Sequence, residues 1–269
     1  MNNSVKKINQ LKWLQAIGID YFFSKSSIEQ KVMINSKVNK KKSTISPIGT
    51  VATKAPSITN TEKSAKSLAR SIASSASNLE ELKKLLMDFD DCSLKKLANN
   101  TVFADGNPHS SIMLIGEAPG SSEDLEGIPF CGESGKLLDN VLSSINISRK
   151  HNAYITNTVF WRPPANRQPT EEEIDICKPF VEKHIALINP KLIILIGNVA
   201  TTSLLGKNAG ISKIRQEYYL YSNEYLSQPI QTTALFHPAY LLRQPMQKKT
   251  TWYDLIKIQE FIDANITGL

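Results

Sequence analysis

Apolar positions along this chain change their period near residue 78. Beyond that point, near-continuous apolar runs alternate with stretches of helical spacing. The runs SIMLIGE (111–117), AYITNTVF (153–160), KLIILIG (191–197) and TTALFHP (232–238) read as strands. Between them, SGKLLDNVLSSI (134–145), TEEEIDICKPFVEKHIALI (170–188) and NVATTSLLG (198–206) read as helices. Helical spacing also marks residues 78–88 and KTTWYDLIKIQEFIDAN near the end. The helix from 170 has a defined start, since Pro169 precedes Thr170 and Glu173 follows three residues later as in a capping box. Its apolar face runs Ile174, Cys177, Val181, Ile185 and Ile188. Strands that are apolar throughout need cover on both faces. The expected fold is therefore α/β, a three-layer α/β/α sandwich around a mostly parallel four-stranded central sheet. Ligands of such sheets gather at the C-terminal strand ends. Glu117, Asn157 and His237 each end a strand, so all three are expected at one crevice.

The first 78 residues have a different pattern. Leu11, Leu14, Ile17 and Tyr21 fall at helical spacing, which predicts an amphipathic helix over 4–24, within a first segment of residues 1–30. Residues 31–78 are rich in Ser, Thr and Lys, with one aliphatic stripe at most. They bury too little apolar surface to offset ordering entropy and read as a basic flexible linker. A folded α/β domain is expected over 79–269.

Charge follows the same division. The net charge is +7, but residues 1–80 carry 13 Lys/Arg against 4 Asp/Glu, and residues 81–269 carry 19 against 21. The basic character belongs to the leading segment, as a solvated tether or as an arm that scans a polyanion. Three cysteines, Cys92, Cys131 and Cys177, are too few and odd in number for a disulfide framework. A reducing, cytoplasmic setting is expected. No run approaches eighteen apolar residues and the N-terminus lacks secretory-signal features, so no membrane association is expected.

The glycine-containing stretch IMLIGEAPGSSEDLEGIPFCGESG (112–135) invites a phosphate-cradle reading. Neither G-x-x-x-x-G-K-S/T nor G-x-G-x-x-G spacing occurs there, and Glu117 would repel a pyrophosphate. Three blocks instead carry a resemblance: GEAPGSSEDLEGIPFCGESGKLLD, YITNTVFWRPPANRQPT and FHPAYLLRQP. Together they resemble the signature blocks of the uracil-DNA glycosylase superfamily, and are most similar to its family 4, the bacterial and archaeal branch. The resemblance covers residues 89–258.

That resemblance implies an enzyme that flips uracil out of single- or double-stranded DNA, hydrolyses its glycosidic bond and leaves an abasic site, starting base excision repair. It implies uracil contacts from Ala118, Gly120, Phe130, Asn157 and His237. Phe130 would stack on the base. Asn157 would read O4 and N3–H with one amide, and His237 would donate to O2 as negative charge builds there. Glu117 would orient water or support the cationic sugar, making Glu117 and His237 the catalytic pair. Ala118 stands where family 1 has its water-activating aspartate. Glu123 and Asp124 either line the pocket or cap the turn. Arg162, Arg167, Tyr240, Leu241, Leu242 and Arg243 are the implied DNA contacts, with an apolar residue of the last block wedging into the stack. Lys248 is a further phosphate candidate.

Two departures bear on cofactor and mechanism. Family 4 members hold a 4Fe–4S cluster on four cysteines, but the corresponding positions here are Phe89, Cys92, Trp161 and Cys177. Two thiolates do not hold such a cluster, so no cofactor and no metal is expected, with Cys92 and Cys177 as buried thiols. WRPPANRQPT also lacks the histidine with which some relatives capture the sugar, so no covalent intermediate is expected. The chain is expected to act as a monomer. Two other classes remain: a non-catalytic nucleic-acid-binding module on the same fold, and a small-nucleotide hydrolase. Intact Glu117, Asn157 and His237 weigh against the first, and the absence of a G-x-S-x-G elbow weighs against the second.

Overall fold

A computed structural model describes residues 60–206 and 210–266. Nine α-helices and six strands are defined among these residues. The strands are β1 (Asp105–Gly106), β2 (Ile112–Gly116), β3 (Tyr154–Asn157), β4 (Leu192–Ile196), β5 (Tyr219–Tyr221) and β6 (Ile230–Leu235). The helices are α1 (Asn60–Ser75), α2 (Leu79–Asp88), α3 (Ser121–Glu126), α4 (Glu133–Ser143), α5 (Glu171–Ile188), α6 (Asn198–Leu205), α7 (Ile211–Ile214), α8 (Pro238–Arg243) and α9 (Gln247–Asn265).

All strands join one sheet in the order β1-β3-β2-β4-β6-β5. The four central strands pair parallel, while β1 and β5 close the two edges antiparallel. The four expected strands thus form the parallel centre, and the two edge strands are additions. Two and three residues long, those edge strands leave no period for sequence to reveal.

Strand alternation divides the core into two. Met113, Ile115, Ile193 and Leu195 face one cluster, formed with Ala69 and Ala73 of α1, Leu82 and Leu86 of α2, and the apolar face of α5. Ile112, Leu114, Ile194 and Ile196 face the other, formed with α4, Leu241 of α8, and Leu255, Ile258 and Ile262 of α9. The three layers are thereby α1, α2 and α5, then the sheet, then α4 and α9. Helix α5 begins as expected: Thr170 Oγ1 accepts from Glu173 N at 3.2 Å, and Thr170 N donates to Glu173 Oε2 at 2.8 Å. Among the described residues, no helix is long and apolar enough to cross a membrane.

The expected linker is corrected at its C-terminal end. Residues 60–75 form α1, which lies on α5 with Ala69 and Ala73 fully buried. Lys66 Nζ is 2.8 Å from Asp175 Oδ2, and Arg70 Nε is 3.2 Å from Glu224 Oε1. Alanine has the highest helix propensity and lets two helices approach closely, so a face of alanines packs where its composition suggests a tether. The folded unit therefore begins by residue 60. The expected helix over 4–24 and the remainder of the linker lie outside the described residues.

Candidate active site

A cleft of about 880 Å³ opens at the C-terminal ends of the parallel strands. Glu117, Asn157 and His237 all line it, together with Ala118, Gly120, Phe130, Tyr240 and Arg243. The three strand-end residues converge as expected.

Asn157 ends β3 and is 1% exposed, yet neither its Nδ2 nor its Oδ1 has a hydrogen-bond partner. An unpaired buried polar atom costs about 1–3 kcal/mol. An amide held this way presents one donor and one acceptor face to a polar ligand. Gly116 makes the placement possible. A Cβ on Gly116 would lie 2.4 Å from Asn157 Oδ1 and 2.4 Å from Phe130 Cζ. The bare strand end is thus where the amide and the phenyl ring meet.

Phe130 is buried, and its ring centroid lies 5.9 Å from that of His237. Its φ of +52° is left-handed, a region that costs a side-chain-bearing residue roughly 1–2 kcal/mol. The chain is fixed there because α4 packs directly on it: a Cβ on Gly135 would fall 1.7 Å from Phe130 O.

His237 caps α8, and its Nδ1 accepts from Ala239 N at 3.2 Å. An accepting Nδ1 leaves the neutral ring's proton on Nε2. Burial, reinforced by Arg243 and opposed by Glu123, pushes its pKa down to about 4. The ring is therefore a neutral donor at physiological pH. Gly197, at the end of β4 with φ +93°, gives it room: a Cβ there would lie 3.0 Å from His237 Cβ. Glu117 follows β2, and its carbonyl accepts from Thr158 Oγ1 at 2.6 Å. Burial alone raises the pKa of its carboxyl above the usual range. A poorly solvated carboxylate acts strongly on nearby positive charge.

The acidic pair after Gly120 divides its work. Glu123 lines the cleft, with Oε2 accepting from Gly120 N and Oε1 from Gly132 N, each at 3.0 Å. It ties the two walls together. Asp124 is buried away from the cleft, taking Asn99 N at 2.8 Å and Asn99 Nδ2 at 2.6 Å. The Gly120 amide is thereby engaged by Glu123, and Gly120 lines the cleft wall beside it.

The DNA-contact candidates separate likewise. Pro238 to Arg243 form a short helix capped by His237, and Pro238 suits its first turn. Leu241 points into the core at 1% exposure, so it is no surface contact. Leu242 is 45% exposed, Arg243 is exposed at the cleft, and Tyr240 packs on Phe236 at 5.1 Å. Arg167 is held bidentate by Glu173 at 2.6 and 2.8 Å. Arg162 Nε donates to Asn166 Oδ1 at 2.8 Å, and its Nη1 is 3.9 Å from Asp124 Oδ2. Both guanidinium charges are shared with carboxylates.

Comparison with known proteins identifies the family. A profile of the Uracil DNA glycosylase superfamily matches residues 103–256. The Type-4 uracil-DNA glycosylase of Sulfurisphaera tokodaii is 37% identical over 187 residues, 68% of this chain and 84% of the relative. That of Saccharolobus solfataricus is 36% identical over 194 residues, covering 70% and 88%. That of Thermotoga maritima is 36% identical over 180 residues, covering 64% and 88%. The chain belongs to the uracil DNA glycosylase superfamily. By that membership it is an enzyme of the DNA glycosylase class.

The four positions that the resemblance to family 4 assigns to cluster ligands hold Phe89, Cys92, Trp161 and Cys177 here, and these residues do not fit an iron–sulphur group. Phe89 is buried with its ring 5.3 Å from Phe180, and buried Trp161 donates Nε1–H to Thr101 Oγ1 at 2.9 Å. Aromatic rings occupy two positions where thiolates are needed. Cys92 and Cys177 are buried free thiols, and burial raises the Cys177 thiol well above its usual range. Among the described residues, no group of three or more His, Cys, Asp or Glu is placed to hold a metal ion.

Proposed function

We propose that the protein is a uracil-DNA glycosylase that releases uracil from DNA by direct attack of water. The buried, unpartnered amide of Asn157 carries this reading. Its donor and acceptor suit O4 and N3–H of uracil, and cytosine presents the reverse pattern at both atoms. Phe130 would stack under the flipped base. His237 Nε2–H would face O2, where negative charge collects as the glycosidic bond breaks. Because its pKa is about 4, the ring donates as a neutral group and keeps its proton. Glu117 would face the sugar, whose cationic character grows in the same step, and hold the water that attacks it. Ala118 offers only its backbone there.

Leu242 and Arg243 would serve the DNA, one entering the base stack and the other meeting a phosphate. The product is an abasic site, which places the reaction at the start of base excision repair. WRPPANRQPT lacks the histidine with which some relatives capture the sugar, which favours free turnover. Catalysis proceeds without an iron–sulphur cluster, given Phe89 and Trp161. The test is excision from an oligonucleotide bearing one uracil. Alkali-labile cleavage at that position is the expected result, and intact DNA in both single- and double-stranded form overturns the proposal.

A further inference from the structure

Arg149 belongs to none of the three signature blocks, and it contacts the loop that supplies the cleft's aromatic floor. Its side chain is 14% exposed. Nη1 donates to Pro129 O at 2.8 Å and Nη2 to Phe130 O at 2.9 Å. The guanidinium is itself fixed from two sides. Asp105 Oδ2 of β1 accepts from Nη1 at 3.0 Å, and Asp139 Oδ1 of α4 accepts from Nε at 3.0 Å.

The loop it holds does not rest in a low-energy conformation. Phe130 sits at φ +52°, where a side-chain-bearing residue stays only if its surroundings impose it. Two things impose it here: the close seat of Gly135 under Phe130 O, and the paired donors of Arg149 on successive carbonyls. A planar fork suits two neighbouring acceptors while its remaining N–H groups meet two carboxylates; a lysine ammonium has three donors and no fork.

We propose that Arg149 is a positioning residue that locks the Phe130 floor in its base-stacking conformation, tying it to the β1 edge and to α4. The inference rests on Phe130 stacking against the flipped base, as in the function proposed above. Arg149 acts through Phe130 and touches no substrate.

The test compares Arg149→Gln and Arg149→Lys with the unaltered protein, using the full chain. Exposed Lys150→Ala serves as a control. Inhibition by free uracil reports the floor, and binding to DNA with a stable abasic-site analogue reports the phosphate contacts. Arg149→Gln should weaken uracil inhibition and kcat/KM on the order of tenfold, with abasic-site binding unchanged. Arg149→Lys should recover part of the loss. In a Phe130→Ala background, Arg149→Gln should cost no further kcat/KM, because coupled residues are not additive. Unchanged uracil inhibition in Arg149→Gln overturns the inference. So does an equal loss in the Phe130→Ala background, or failure of both Arg149 variants to fold. Uracil release by the unaltered protein is scored separately. Its absence defeats the proposed function, whereas its presence with an indifferent Arg149 defeats this inference alone.

Discussion

Asn157, His237 and Glu117 differ in what holds them, and each difference predicts a different response. The Asn157 amide is buried without partners, so changing one of its two groups removes half of a paired recognition. Asn157→Asp should keep the fold and lower single-turnover excision by about 10²–10³-fold, the scale of losing a transition-state hydrogen bond. His237 is neutral down to about pH 4, so no activity change should centre near pH 6.5. The raised Glu117 carboxyl should set the acid limb instead. If Glu117 acts as proposed, activity should be present while it is ionised and should fall as pH drops through its raised pKa. A kcat/KM–pH profile measures this, and Glu117→Gln should lose the limb together with most of the rate. These three residues were legible because each ends an apolar run, and the topology of a parallel sheet collects such ends. Arg149 was not. Its partners lie 10 to 44 residues away in sequence, and no spacing rule links them.

At the scale of elements, the block HPAYLLR shows why neighbours in sequence can part in role. A capped helix turns successive side chains by about 100°, so Leu241 enters the core while Leu242 faces outward. Leu241→Ala should destabilise the protein by about 2–5 kcal/mol in urea unfolding. Leu242→Ala should change stability by less than about 0.5 kcal/mol and slow excision from duplex DNA more than from single strands. The reverse pattern would assign the wedge to the wrong leucine. Helix α5 was legible to its first residue through its capping box, whereas α1 was not. A helix that docks on alanines carries almost no hydrophobic signal, and its lysines and serines resemble a tether. Ala73→Glu tests that docking: a carboxylate forced into the seam should lower stability by at least about 1–3 kcal/mol.

Two cores share one sheet across the whole molecule, and the cleft lies at the strand ends between them. This layering was readable from the alternation of apolar runs and helical spacing, because doubly covered strands must be apolar throughout. The short edge strands were not, since their pairing depends on partners rather than on their own residues. One buried histidine gives the molecule a predictable acid response. His184 is fully buried, stacked on Phe103 at 4.4 Å and within 2.8 Å of the Tyr154 hydroxyl. Burial lowers its pKa to about 3. Above pH about 6.5 it is neutral in folded and unfolded states alike. Below that the unfolded chain binds a proton that the folded protein refuses until about pH 3. Stability should therefore fall across this window. Urea midpoints against pH measure it, and the slope should shrink in a variant with a non-titrating residue at 184.

In the proposed function the cleft reads a flipped uracil through Asn157 and stabilises its departure through His237. The decisive measurement is single-turnover excision from a uracil-bearing oligonucleotide, run beside Asn157→Asp at equal folded fraction. An abasic site from the unaltered protein and a loss on the order of 10²–10³ in the variant are expected. Equal rates for the two proteins, or no excision by the unaltered one, would contradict that function.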